Sequence, residues 1–309
     1  HCEKLQLLQS PPPPIPKTQN HLGVCLVTGG CGLLGRHLTR FLADLVNLDL
    51  VTHIHCLDVV CDIPDLLFGF HIANERITFH QGEEGDITNK AHLAKLFKAY
   101  KFNSVFHLAS LIDLRPIPSP ALHAVNVVGT KNLLDLATAS SHTTRFVYTS
   151  SLECSYKYNC CVDSLESEPP SPHPCNDYQR WKIDVERSVI AANEGTKLKT
   201  CAVRPAHIVG NDRDDDLVKP ISGVKVCFGE IKTLGRSGDG AKMGMVSVEN
   251  CALAHIIGAL KLNTNATNGM VFNVSDYDEN IVAAYRGMMG KKPPAICLPF
   301  WVLYVLVEV

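Results

Sequence analysis

The chain has 309 residues, 46% hydrophobic and 19% charged, with a formal net charge of −2. That length suits one large α/β domain, or one domain with a smaller lobe, and supplies enough apolar material for a sizeable core. The near balance of 29 basic and 31 acidic residues, without a basic stripe, excludes nucleic acid as a partner.

Residues 1–21 read as a proline-rich arm: Pro11 to Pro14 and Pro16 favour an extended polyproline-type conformation. No secretory signal is evident. The chain opens on His1 rather than Met, which fits a fragment or a processed product. Val24 to Val27 then form an apolar run ending in Thr28, followed by Gly29, Gly32 and Gly35 at three-residue spacing. Leu33, Leu34, His37, Leu38, Phe41, Leu42 and Leu45 continue as an amphipathic helix. A strand, a glycine turn and a helix in this order bring backbone close to a pyrophosphate, with free N–H groups at the helix N-terminus. Val51 to Leu57 is a second strand and ends at Asp58, where a carboxylate hydrogen-bonds adenine-ribose hydroxyls. Val59 and Val60 follow it, with no base to meet a 2′-phosphate, so NAD is favoured over NADP. Arg36 beside the turn is the residue that pulls the other way. The alternative reading of Asp58 is a strand-end residue capping a turn.

Further along, Ile77 to Gln81 reads as a strand, Lys90 to Tyr100 as a helix and Ser104 to Leu108 as a strand. A loop with Pro116, Pro118 and Pro120 leads into a long helix over Ala121 to Ser140, then a strand over Arg145 to Thr149. After a polar loop (Glu166 to Pro174) come a helix over Asp177 to Asn193 and a strand over Lys199 to Arg204. Val248 to Leu262 is a helix and Met270 to Val274 a strand. This alternation predicts a Rossmann-type, doubly wound parallel sheet over residues 22–210, with a smaller C-terminal substrate-binding lobe over 211–309 that includes the late Rossmann elements. Asn211 to Gly244, weakly periodic, is where a substrate lid is expected.

The 13 cysteines are scattered, with no Cys-x-x-Cys pair; Cys25, Cys56, Cys201 and Cys251 fall inside elements as small apolar residues. They read as reduced thiols of an intracellular protein, without structural zinc or any other metal. His53, His55 and Cys56 alternate along one strand and read as packing. Ile296 to Val309 is apolar but too short to span a bilayer. It reads equally as the start of a membrane segment or as a buried helix.

Ser150 and Ser151 close the strand over 145–149, and ligands of such sheets bind at strand carboxyl ends. Tyr178 and Lys182, four apart, share one face of the next helix. Alcohol–ketone interconversion needs this set: a base for the hydroxyl proton, a cation to activate it and a hydroxyl to hold the substrate oxygen. An ammonium at roughly 5 Å from the phenol, at an effective dielectric near 20, contributes about 3 kcal/mol, or about two pKa units of depression. Ser151, Tyr178 and Lys182 are therefore the candidate catalytic residues.

Taken together, these residues resemble the extended short-chain dehydrogenases, and most closely the 3β-hydroxysteroid dehydrogenase/Δ5-isomerase family. The resemblance is carried by Thr28 to Gly35, Gly85-Asp86-Ile87, Phe106 to Ser110, Asn126 to Asn132, Phe146 to Ser151, Arg204-Pro205 with Gly210, Asn250 with Ala254-His255, and Leu298 to Trp301. It implies NAD-dependent oxidation of a steroid or sterol 3β-hydroxyl, with or without double-bond migration, as in steroid biosynthesis. Tyr178 would be the base, Lys182 would lower its pKa and hold the nicotinamide ribose, and Ser151 would orient the substrate oxygen. Gly29, Gly32, Leu33, Leu34, Gly35, Asp58, Asp86, Ile87, Ala109, Asn126 and Pro205 would complete the cofactor site. The resemblance further implies association with the endoplasmic reticulum or mitochondrial membrane through the C-terminal apolar segment, and a homodimer is compatible with it. The sequence departs from the family at Arg180 and Trp181, bulky residues between Tyr178 and Lys182, and at Val209 and Ser247, where Tyr is frequent. Competing readings are another extended-family enzyme (a nucleotide-sugar epimerase or flavonoid-type reductase) and an inactive NAD-binding regulator whose site Trp181 spoils. The acidic run Asn211 to Asp216 argues against a sugar diphosphate.

Overall fold

The computed structural model describes residues 21–60, 74–113, 119–156, 165–210 and 242–280. Residues 1–20 of the 1–21 arm, residues 211–241 of the lid expected over 211–244 with its acidic run, and the apolar run Ile296 to Val309 lie outside them; residues 242–244 of the expected lid begin a strand instead.

Strand β1 (Gly23–Thr28) is buried on both faces and pairs in parallel with β2 (Val51–Asp58) on one side and β4 (Ser104–His107) on the other. β3 (Ile77–Gln81), β5 (Arg145–Thr149), β6 (Lys199–Pro205) and β9 (Met270–Val274) complete a seven-stranded sheet in the order β3-β2-β1-β4-β5-β6-β9. Every pairing in it is parallel. The strands read as nearly continuous apolar runs because helices cover both faces. On one face α1 (Leu33–Asn47) packs against α6 (Val248–Leu262), burying Leu38, Leu42, Ala252 and Ile256. On the other, α2 (Lys90–Tyr100), α4 (Thr130–Ala139) and α5 (Asp177–Ala191) bury Leu93, Phe97, Leu133, Val185 and Val189. Each fully buried aliphatic side chain contributes about 1.5–3 kcal/mol. The four cysteines expected inside elements are all buried.

Two features depart from the sequence reading. The long helix expected over 121–140 is three segments: α3 (Pro120–His123), a π-helical stretch (Ala124–Gly129) and α4. The Thr130 hydroxyl donates to the Asn126 carbonyl at 2.7 Å, competing for the acceptor that regular helical bonding would use. A second sheet, β10-β8-β7, was not anticipated; it joins β7 (His207–Val209), β8 (Lys242–Ser247) and β10 (Tyr277–Asn280). These strands are short, and their partners are distant in sequence, so local periodicity does not mark them. Among the described residues no helix is long and apolar enough to cross a membrane.

Candidate active site

The strand order reverses at β1, with β2 on one side and β4 on the other, so the carboxyl ends of β1 and β4 flank the topological switch point. The glycine turn sits there. Gly29 has φ +68°, a conformation open to glycine, and a Cβ on it would lie 2.8 Å from the Ala109 nitrogen. Gly35 packs against Gly29 and Gly30, with no room for a side chain. A Cβ on Gly32 would meet only the Gly29 oxygen, at 3.4 Å, so this face of the turn is open to an approaching group. Gly32 is also the N-cap of α1 and brings no side chain to bond the first-turn N–H groups. A positive-φ turn, an open middle glycine and a packed third glycine fit a dinucleotide pyrophosphate.

Asp58 ends β2 beside this turn. Its carboxylate accepts from the Cys31 nitrogen at 3.0 Å and the Val60 nitrogen at 3.2 Å, so it holds the turn. Asp86 accepts from the Thr88 nitrogen and hydroxyl, both at 2.8 Å. The side chains of Ile87 and Leu34 belong to the core, Ile87 against Gly129, and Leu33 reaches Gly210. Ala109 donates its N–H to Thr28 Oγ1 at 3.2 Å, and Pro205 closes β6. Asn126, 3% exposed, accepts from the Leu111 nitrogen and donates to the Leu111 oxygen, both at 2.8 Å. It therefore fixes the loop that follows β4.

One expectation fails at the turn itself. Cys31 is disulfide-bonded, while the other described cysteines are free. The described cysteines are not uniformly reduced.

The candidate catalytic side chains converge at the end of β5. Ser151 caps the short 3₁₀ turn Leu152–Ser155 and hydrogen-bonds Tyr178, which lies in the first turn of α5 behind the Asn176 cap. Tyr178 and Lys182 are 6% and 3% exposed. The Lys182 ammonium donates to the Thr149 carbonyl at 2.8 Å and lies 5.7 Å from the centre of the Tyr178 ring. Arg180 and Trp181 do not disturb this face. Arg180 pairs with Asp177 at 3.1 Å, and Trp181 meets His123 edge-on at 5.1 Å.

The protonation expected for the pair is not what the site shows. Burial pushes the Tyr178 phenol well above the usual phenol value; the Ser151 hydrogen bond offsets this only in part, and the charge of Glu153 adds to it. Burial likewise pulls Lys182 down to about 8. The ammonium spends its bonding on a backbone carbonyl, so desolvation of the phenolate prevails over cationic help.

Four participants were not given roles in the sequence reading. Gln179 accepts from the Cys175 nitrogen at 2.7 Å and donates to the Glu153 and Tyr156 carbonyls at 2.7 and 2.8 Å, tying the serine turn to the catalytic helix. Glu153 places a half-buried carboxyl beside Tyr178, its pKa raised by desolvation. His107 lies 2.7 Å from both Thr28 Oγ1 and Thr130 Oγ1. Because the Thr130 hydroxyl donates to Asn126, the neutral ring donates from Nε2 and accepts at Nδ1. His255 lies 2.7 Å from both Thr149 Oγ1 and the Cys251 carbonyl, reaching from α6 to the strand that binds Lys182. Burial lowers His107 to about 3 and His255 to about 4. His107 and His255 stand in the segments that carry the family resemblance; Gln179 and Glu153 carry no signal without their neighbours in space.

Comparison with known proteins agrees with this geometry. The Thermus thermophilus UDP-glucose 4-epimerase complex with NAD superposes with a TM-score of 0.65 at 21% identity, over 89% of this chain and 86% of that one. The dTDP-glucose 4,6-dehydratase of Bacillus anthracis in complex with NAD gives 0.63 at 19% identity, over 87% and 81%. At these identities the likeness shows the fold. Among curated proteins, mouse 3 beta-hydroxysteroid dehydrogenase type 7 is 28% identical over 306 residues, covering 92% of this chain and 78% of that protein. The human decarboxylating sterol-4-alpha-carboxylate 3-dehydrogenase is 28% identical over 295 residues, covering 92% and 71%. Residues 26–284 match the model of the 3-beta hydroxysteroid dehydrogenase/isomerase family. The chain thus belongs to that family of dehydrogenases, with NAD as the cofactor that its glycine turn and Asp58 fit.

Proposed function

We propose that the protein oxidises the 3β-hydroxyl of a steroid or sterol to the 3-ketone. The observation that carries this reading is the hydrogen bond between Ser151 and a buried Tyr178 at the end of β5, with Lys182 one turn along the same helix. When bound, NAD supplies the hydride acceptor. The glycine turn and the N-terminus of α1 would hold its pyrophosphate, Asp58 its adenosine ribose, and Ala109 and Pro205 would line the cleft. Ser151 would hold the substrate oxygen, and Tyr178 in its phenolate form would take its proton as the C–H bond breaks. Lys182, anchored on Thr149, would supply positive charge on the same helix face. Asn126 would keep the loop after β4 in place.

Leu111 and Ile112, exposed just beyond β4, and the exposed Tyr156 beyond the serine turn provide apolar surface suited to a sterol. Such a substrate resides in membranes, and the apolar run Ile296 to Val309 would bring the protein to one, at the endoplasmic reticulum or mitochondrion. The edge-on contact of Trp181 with His123 supports an enzyme over an inactive regulator.

The test is NADH formation from NAD and a 3β-hydroxy-Δ5-steroid in detergent, with the wild type beside Tyr178→Phe. The expected result is turnover that falls about 10²–10⁴-fold in the variant, the range of a lost general base, while NAD still binds. Wild-type protein that binds NAD and oxidises no 3β-hydroxysteroid overturns the reading.

A further inference from the structure

Glu153 is clamped beside the catalytic pair by its backbone. Its N–H donates to Ser151 Oγ at 3.2 Å, and its carbonyl accepts from Gln179, the residue after Tyr178, at 2.7 Å. Its carboxyl is half-buried and meets no hydrogen-bond or ion-pair partner among the described residues. The two buried cations near the site are engaged elsewhere. Lys182 donates to the Thr149 carbonyl, and Arg204 forks onto Glu186 with a 2.8 Å Nε–Oε2 bond. A half-buried carboxyl without a partner costs stability, and packing alone would favour an apolar side chain here. Such a residue beside a catalytic group points to a job at the site.

The chemistry of a 3β-hydroxyl substrate defines that job. The carbon next to the hydroxyl-bearing carbon is one bond away. A carboxylate on it would therefore enter the same desolvated space as the Tyr178 hydroxyl. Two carboxylates sharing such a space repel each other. Building on the 3β-hydroxyl reading above, we propose that Glu153 is a charge filter: it admits sterols that are neutral at the carbon beside the hydroxyl and disfavours those with a 4α-carboxylate. Of the two relatives compared above, the human dehydrogenase is named for a sterol 4α-carboxylate and the mouse protein is not. The filter places this chain's substrate on the uncharged side of that division.

The test compares a matched pair of 3β-hydroxysterols, with and without the 4α-carboxylate, on NAD-loaded protein. Both the kcat/KM ratio from NADH formation and the ratio of equilibrium affinities are measured. Wild type is expected to favour the neutral sterol at least tenfold in both ratios. Glu153→Gln, which keeps size and removes charge, is expected to shift both by at least tenfold toward the carboxylate, while Glu153→Asp keeps the preference. A wild type with no preference, or ratios unmoved by Glu153→Gln, overturns the filter and leaves the 3β-hydroxyl reading standing. If neither sterol binds or turns over on NAD-loaded protein, that reading falls and the filter with it.

Discussion

The glycine turn and the serine–tyrosine–lysine cluster sit at the same end of one sheet but are built from different materials. The turn is backbone: Gly29, Gly32 and Gly35 act through what they lack, and the N–H groups come from contiguous residues. The cluster is side chains drawn from β5, the 3₁₀ turn and α5, with His255 supporting from α6. Its properties come from burial, which raises Tyr178 and lowers Lys182. A site made of backbone is a shape and is damaged by adding an atom. A site made of buried side chains is a balance of charge and desolvation and is damaged by removing one.

The largest effect expected from this contrast lies behind the cluster. Arg204 on β6 and Glu186 on α5 form a bidentate pair, 4% and 7% exposed at the side chain, and so pin the catalytic helix to the sheet. Glu186→Ala leaves the guanidinium buried without its counter-charge, and the expected cost is about 3–5 kcal/mol, read from denaturant unfolding. A cost near that of an exposed pair would show that the cluster does not depend on this anchor. On the turn, adding a methyl is the sharper probe. Gly29→Ala forces a side chain into positive φ against Ala109, an expected strain of about 1–3 kcal/mol. Its mark is weakened NAD binding in calorimetry. Unaltered NAD affinity would mean that the turn can relax, and the contrast would blur.

Acid sensitivity is shared by both regions and is modest for each histidine taken alone. His107 bonds Thr28 below the turn and His255 bonds Thr149 below the cluster, each neutral in the fold. Their folded pKa values of about 3 and about 4 lie below the ordinary 6.5. The unfolded chain therefore binds protons more readily than the folded one below pH 6.5. Stability from these groups is complete above about pH 6.5 and falls as pH drops toward the folded values, by about 1.4 kcal/mol per pH unit for each histidine. His55, pulled to about 3 chiefly by burial, acts in the same direction. Urea midpoints at pH 7 and pH 5 measure the sum, and identical midpoints would show that these rings are not buried in their neutral form.

Legibility followed the same division. The turn could be read directly because a strand, three glycines and an amphipathic helix occur in one uninterrupted stretch. Tyr178 and Lys182 were readable as a helix face, since four-residue spacing is a local geometric fact. Their protonation was not: a charge-pair estimate from spacing predicted a depressed phenol, and burial, a property of the packed environment, reversed it. Asp58 was identified for its position, but its bond to the Cys31 nitrogen merges the ribose role with the turn-capping alternative. The second sheet escaped because β7 pairs with β8 across a long, weakly periodic stretch of chain, so the pairing is not local.

The sequence by itself determined the alternation of strands and helices, the glycine turn, the family, and which side chains are the candidates for catalysis. Each of these is encoded in spacing along the chain. The tertiary structure alone decided that Thr149 rather than Tyr178 receives the Lys182 proton donor, that Gln179 locks the serine turn to its helix, and that Glu153 keeps an unpaired carboxyl beside the phenol. Those outcomes depend on which groups are removed from water together, and desolvation acts between neighbours in space whatever their separation in sequence.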